Sequence, residues 1–454
     1  MSGGLKANGP SVEPALKGFE TISWLADLTK SGAGRNEDLR AADYALLKAA
    51  LPSHGACGLT LSSAMADPSP NLSFPITLQH EHRLIFTRDA FAPDNLTLAQ
   101  TLTPREPGEK VRALVVWDAG LATAFPGFAE KITRWFAARG EALQLAAPPL
   151  ALPGGERIKN DFSQLEVVWK AIEAAGLCRH SYVVAVGGGA VLDLVGFAAA
   201  TAHRGIPLVR LPTTSLSQGD GGVGVKNGVN FFGKKNWLGA FSVPHAIIND
   251  LSLLHGLPVR ERRVGLIEAL KVALIRDAAF FEFIAARVPA LATFEPEAFE
   301  AVIRESARQH MEHIATAGDP FERGSARPLD FGHWAAHKLE QLSEFRVSHG
   351  EAVAVGIGVD IIYARRIGLL PEAMAERILG VIQGLGFELF APVKEIRSAT
   401  GRQDMLDGLE EFREHLGGRL CIPMIRAPGV RLEIHEIDGA VVKAAFDELR
   451  ERYG

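Results

Sequence analysis

Between Tyr182 and Ala202 the chain reads YVVAVGGGAVLDLVGFAAATA, an apolar run with a single charge at Asp193. It is long enough to cross a bilayer. Three consecutive glycines and a carboxylate in mid-span argue against that, since an aspartate at such depth costs roughly 3 kcal/mol. The better reading is a fully buried strand, Tyr182–Val186, then a glycine turn, then a buried helix. A strand buried on both faces needs parallel partners. From about Ser73 onward such partners occur: Val111–Trp117, Leu208–Leu211 and Ala246–Ile248 alternate with helical patterns at Pro126–Arg139 and Gln164–Ala175. This alternation predicts a mostly parallel sheet covered on both faces.

After Pro258 the period changes. Glu261–Val288, Pro296–Ala317, Gly332–Ser343, Gly350–Ile367 and Glu372–Gly384 all carry helical periodicity, punctuated by Pro296, Pro371 and Gly386. Leu420–Ile425 and Val430–Ile434 suit a small hairpin before a last helix, Asp438–Arg452. Residues 1–72 read as a leader with one helix near Leu39–Leu51 and no assignable chemistry. The expected organisation is therefore a leader (1–72), an α/β domain (73–257) and a helical domain (258–454). Length alone suggests about three domains.

Bulk properties exclude several classes. Lysine and arginine number 48 against 53 acidic residues, a net charge of −5, which lacks the basic footprint of a nucleic-acid binder. The N-terminus has no apolar core behind a basic start, so it does not read as a secretory signal. Cys57, Cys178 and Cys421 lie far apart, offering neither a disulfide framework nor a CxxC knuckle. A reducing, cytoplasmic setting and no membrane contact are expected.

The 46 glycines are concentrated where chemistry is expected. At Gly187–Gly189 a strand runs into a helix, so backbone N–H groups can approach a pyrophosphate, aided by the helix dipole. The pattern is GGGxxxD rather than GxGxxG, and alone it equally describes a tight turn packing a helix on a sheet. Asp118, closing the first strand, can accept from a ribose hydroxyl, and Thr213 and Thr214 follow another strand end. Together these favour a dinucleotide. Gly219–Gly239 forms a second cluster, with seven glycines in 21 residues and Lys226, Lys234, Lys235 and Asn236 among them. It reads as a long anion-binding loop without its own secondary structure. Solvated surface lysines are the plainer account, but Phe231, Phe232 and Trp237 suggest packing.

Two further clusters are helical. Glu268 and Lys271 stand at i, i+3 beside a stripe of Ile267, Leu270 and Leu274. An ion pair on so apolar a helix is expensive unless coordinated or catalytic. His333 and His337 lie one turn apart, followed by His349 and Glu351, which suits a divalent metal. The HMEH run, His310–His313, is a rival, and spacing alone leaves the ligand set open. Dinucleotide, metal, lysines and acid/base groups together suit hydride transfer on a phosphorylated polyol.

From about residue 75 to the C-terminus the chain resembles the sugar phosphate cyclases of the 3-dehydroquinate synthase family. The resemblance rests on GGGAVLDLVGFAAATAHRG, LPTT, DGGVGVKNGVN with GKKNWLGAF, GLIEALK, and DFGHWAAH with HGEAVAVGIG. It implies an N-terminal NAD-binding α/β domain and a helical metal- and substrate-binding domain. By resemblance, Glu268, His333 and His349 would hold zinc or possibly cobalt. His337, Lys226, Asn236 and Lys235 would face the substrate phosphate, and Asp220 and Lys271 the hydroxyl being oxidised. Asp118, Glu156, Lys159, Gly187, Gly188, Gly189, Asp193, Thr213 and Thr214 match NAD-contacting positions. Arg204 resembles an arginine that reaches a neighbouring subunit's site, implying a homodimer.

The implied reaction is alcohol oxidation by NAD, phosphate elimination, return of the hydride and intramolecular aldol closure to a carbocycle. There are departures. Family dehydroquinate synthases carry Asn where Asp330 stands, an arginine where Ala326 stands, and an upstream lysine absent from Met311–Asp319. Here Arg327 is one residue late. Those basic groups pair with a substrate carboxylate, so their loss weakens the case for the carboxylated substrate. Asp330 resembles cyclases of sedoheptulose 7-phosphate, although those carry Pro where His337 stands. The mixture most resembles a divergent dehydroquinate-synthase-like subgroup of ebo-type clusters, with Arg413 in place of a phosphate lysine. Two other readings are a glycerol-dehydrogenase-like polyol dehydrogenase, which would produce net NADH, and an inactive homologue acting as a binding protein.

Overall fold

Every position of Tyr182–Gly187 is buried, which is why the run lacks the alternation of a half-exposed strand. The computed structural model describes residues 72–454 apart from 233, 323–327, 345, 392, 394–401 and 416–417. The helix expected at Leu39–Leu51 lies outside the described residues, as do Ala326 and Arg327. Residues Leu78–Gly454 form one compact unit.

The sheet comprises β1 (Leu84–Thr87), β2 (Val111–Asp118), β3 (Leu143–Leu145), β4 (Leu150–Leu152), β5 (Tyr182–Gly187), β6 (Leu208–Pro212) and β9 (Ala246–Asp250). Its order is β1-β9-β6-β5-β2-β3, with β4 also on β2, and every pairing is parallel. Asp118 therefore closes the second strand rather than the first. Helix α1 (Phe128–Ala137) packs on one face, where Ile132, Trp135 and Phe136 meet Ala113, Val115 and Val184. Helices α2 (Phe162–Ala174) and α3 (Gly189–Thr201) cover the other, against Leu114, Val116, Val183 and Ala185. Each such fully buried Val or Leu contributes roughly 1.5–3 kcal/mol. After β2 the chain moves outward to β3, then returns across to β5. That reversal opens a crevice at the carboxyl ends of β2 and β5, where open α/β sheets bind ligands.

The glycine-rich segment is not a structureless loop. A short helix, α4 (Ser215–Gly219), is followed by an antiparallel hairpin, β7 (Lys226–Phe231) and β8 (Lys234–Phe241). Gly228 and Gly239 face each other across it, and a Cβ on either would strike the partner backbone. The glycines there permit close strand approach.

The second half is helical: α5 (Val259–Arg276), α6 (Ala278–Ala286), α7 (Pro296–Thr316), α8 (His333–Leu342), α9 (His349–Arg366), α10 (Glu372–Gly384), α11 (Arg402–His415) and α12 (Gly439–Tyr453). The single helix expected over Glu261–Val288 is two, because the Asp277 carboxylate caps α6 by accepting from the N–H groups of Ala279 and Phe280. A hairpin of β10 (Ile422–Ala427) and β11 (Val430–Ile434) packs on the same core. Among the described residues no helix is long and apolar enough to cross a membrane.

Candidate active site

Helix α3 begins at the crevice with Gly188 as its N-cap, and no side chain caps it. Its first amides are thus available to an anion, and a Cβ on Gly189 would meet nothing within 4 Å. Asp118 lies alongside, its Oδ1 accepting from the Gly120 N–H at 2.8 Å. Burial raises its pKa, while the Gly120 and Gly188 amides pull the other way. A Cβ on Gly154 would overlap this carboxylate. Lys159 is 3% exposed, with Nζ 2.7 Å from Asp193 and 3.7 Å from Glu156. Burial lowers its pKa, but the two carboxylates outweigh burial and raise it. Its third partner is the side-chain amide oxygen Oδ1 of Asn236, so Asn236 joins this group instead of standing beside Lys226. The Thr213 N–H donates to Gly187 O, tying two strand ends together. The Thr214 hydroxyl accepts from Ser217 N–H and caps α4.

The charged pair on α5 is deeply buried, and the helix has no solvent face from Val264 to Ile275. Gly265 makes this possible. A Cβ there would lie 2.6 Å from Ser215 Cβ, and the bare glycine instead donates its N–H to Ser215 Oγ at 3.0 Å. The close approach of α5 to α4 brings Lys271 Nζ within 3.1 Å of Asp220, and one turn along α5 the same Nζ lies 2.5 Å from Glu268 Oε2. Burial works against all three charges, yet each remains ionised: the carboxylates raise Lys271, while Lys271 holds Asp220 and Glu268 down.

Glu268 also faces two imidazoles. Its Oε1 is 3.3 Å from His349 Nε2 and 3.9 Å from His333 Nε2. The three ligand atoms lie within 4.8 Å of one another, the single such group among the described residues. Helix α8 is set by Gly332 at φ +77° and by buried Asp360, whose oxygens accept from Gly332 N–H and Trp334 Nε1–H. His333 Nδ1 is 3.1 Å from Phe331 O, and His349 Nδ1 is 3.2 Å from Glu340. A proton on each Nδ1 leaves both Nε2 lone pairs aimed at Glu268. Glu268 Oε2 carries the Lys271 ion pair, while the buried Oε1 faces only the two imidazole Nε2 atoms. A buried carboxylate so placed, with two outward lone pairs, fits a divalent cation such as zinc.

His337 extends this cluster, its ring 5.4 Å from that of His333. Burial, followed by the charges of His333 and Lys235, holds its pKa well below the usual histidine value. Burial opposes ionisation of Asp330, but Lys226, His333, His337 and Lys271 together keep its carboxylate low. Lys226 Nζ lies 2.6 Å from Glu322. Arg204 is exposed at the far end of α3, about 20 Å along the helix from Gly188. Arg413 pairs with Glu410 on α11, in a cleft with Arg419 and His435. From the HMEH run, His310 lies 3.6 Å from Asp220, whereas burial and Arg276 lower His313 to about 4.

Three residues at or beside the site carry only weak signals in the sequence. Glu340 follows His337 by one turn, a spacing that marks it on inspection. Asp360 is the lone charge in the apolar stretch Ala352–Ala364. Arg210, fully buried in β6, donates to the carbonyls of Gly222, Gly224 and Lys226 and so shapes the entry to the hairpin. Its signal was a charge inside the strand LVRLP.

Comparison with known proteins agrees with this geometry. The family models for the 3-dehydroquinate synthase N-terminal and C-terminal regions match residues 149–264 and 265–404, together more than half of the chain. A 3-dehydroquinate synthase from Symbiobacterium thermophilum is 39% identical over 61% of this chain and 74% of its own length. A 2-epi-5-epi-valiolone synthase from Streptomyces glaucescens is 40% identical over 66% of this chain and 76% of its own. Among solved structures, a 2-epi-5-epi-valiolone synthase from Streptomyces hygroscopicus subsp. jinggangensis, with NAD+ and Zn2+ bound, superposes with a TM-score of 0.74. It is 27% identical and covers 84% of this chain and 100% of that one.

Proposed function

Because the chain belongs to the 3-dehydroquinate synthase family of sugar phosphate cyclases, we propose that it is a phosphate-eliminating carbon–oxygen lyase that closes a phosphorylated seven-carbon keto sugar into a carbocycle. The observation that carries this reading is the convergence of Glu268, His333 and His349 on one point beside the Lys271–Asp220 pair. Residues 73–257 would form the NAD-binding domain and 258–454 the metal and substrate domain. Asp118, Glu156, Lys159, Asp193, Gly187–Gly189, Thr213 and Thr214 would line the NAD crevice, and Glu268, His333 and His349 would hold the metal. Bound NAD would accept and return a hydride, and the metal would act as a Lewis acid at the oxygen where charge develops.

This chain's own residues would do the rest. The Lys271 ammonium would orient the hydroxyl, and the Asp220 carboxylate would take up its proton. Lys226, Lys235 and neutral His337 would bind the phosphate, with Asn236 turned to Lys159 instead. An ionised Asp330, with no lysine in 311–319, disfavours a substrate carboxylate. We therefore favour a ketose phosphate such as sedoheptulose 7-phosphate over the carboxylated dehydroquinate precursor. Arg204, too far to serve its own site, would serve a second copy in a cytoplasmic homodimer.

The test is a panel of seven-carbon sugar phosphates incubated with protein, NAD and zinc, followed by phosphate assay and product mass spectrometry. Phosphate release with a carbocyclic product and no accumulating NADH is expected. Stoichiometric NADH would instead identify a polyol dehydrogenase. Silence across the panel, despite bound metal and NAD, would identify a binding protein.

A further inference from the structure

Glu340 is 4% exposed and sits between His349 and Lys235. Its Oε2 is 3.2 Å from His349 Nδ1, and its two oxygens lie 3.3 and 3.5 Å from Lys235 Nζ. The two metal-facing imidazoles are therefore held differently. His333 donates from Nδ1 to a neutral backbone carbonyl, whereas His349 donates to a carboxylate. A carboxylate behind an imidazole fixes its tautomer and raises its basicity as a ligand. The charge of Glu340 is in turn offset by Lys235, which comes from β8 and whose side chain is 23% exposed. Lys235 thus borders both the buried carboxylate and solvent.

We propose that Glu340 is a positioning residue that couples the phosphate-binding hairpin to the metal through a Lys235–Glu340–His349 relay. This rests on the metal reading above. An anion drawn to Lys235 shares its charge and leaves Glu340 freer to accept from His349. The imidazole then becomes the stronger ligand, so phosphate tightens metal binding. By linkage the metal tightens phosphate binding by the same factor.

Cobalt binding to the full chain, followed by competition with a chromogenic chelator and by the cobalt absorption spectrum, tests the relay with and without inorganic phosphate. Wild-type protein should bind cobalt more tightly when phosphate is present, with a shifted spectrum. Glu340→Gln should weaken cobalt binding by about 10–100-fold and lose the phosphate response. Lys235→Met, which keeps the Glu340–His349 hydrogen bond but removes the charge that offsets Glu340, should bind cobalt at least as tightly as wild type and lose the response to phosphate. This variant keeps the test informative if Glu340→Gln fails to fold. A phosphate response that persists in Lys235→Met, or wild-type cobalt affinity in Glu340→Gln, would overturn the relay while leaving the metal reading standing. Wild-type protein that takes up no cobalt would remove the metal reading itself, and the relay with it.

Discussion

On His349 the effects of burial and charge compete directly. Burial pulls its pKa down, but the carboxylates of Glu340 and Glu268 outweigh burial and lift it to about 9 in the metal-free protein. The sign follows. A histidine raised above its unfolded value of about 6.5 contributes stability that is complete below that pH and lost as pH rises through 9. A divalent ion needs the neutral ring, so loading expels one proton. Metal affinity should therefore rise about tenfold per pH unit between 7 and 9 and level off above, as chelator competition would reveal. A flat profile would mean that His349 is not a ligand. His333→Ala should lose bound metal and lower turnover by roughly 10³-fold, measured by elemental analysis beside the phosphate assay. At this scale the sequence is informative about residue types and less so about partners. Spacing identifies a histidine cluster, yet His337 fits one-turn spacing as well as His349 fits none. Only the packing of α8 on α9 decides which lone pairs face Glu268.

The elements that carry the site depend on how closely they approach. Gly265 lets α5 rest on α4, and Gly265→Ala would drive a methyl into Ser215 Cβ and its carbonyl carbon at 2.6 and 2.7 Å. A loss of about 1–3 kcal/mol is expected in denaturant titration, with weakened metal binding because Glu268 shares the helix. Gly380→Ala on α10 is the control. Its site is exposed and open, so the substitution should stabilise by about 0.5–1 kcal/mol and leave metal affinity unchanged. Legibility follows length and period at this scale. The long helices and the fully buried β5 stand out in the sequence, whereas β3 and β4 are three residues each and leave no periodic trace. The hairpin was concealed by its glycines, which read as loop composition when their purpose is close pairing of Gly228 with Gly239.

At the scale of the molecule, the position of one charged residue bears on whether a single chain holds a complete site. Arg204 lies at the opposite end of α3 from the glycine turn, and it follows His203 in a pair of left-handed residues, φ 51° and 63°. Consecutive non-glycine residues in that region each cost about 1 kcal/mol or more, a strain retained where surrounding structure or function requires it. If that turn presents Arg204 to a neighbour's site, activity requires two chains, and two separately inactive variants should rescue each other. Arg204→Ala keeps its metal ligands but offers no arginine, while His333→Ala offers the arginine but holds no metal. Mixed dimers would then contain one complete site, built on the Arg204→Ala chain and completed by its partner. Random reassociation makes half of the dimers mixed, so the mixture should regain about a quarter of wild-type phosphate release. If Arg204 served its own chain, neither site of a mixed dimer would be complete, and the mixture would stay as inactive as its parts.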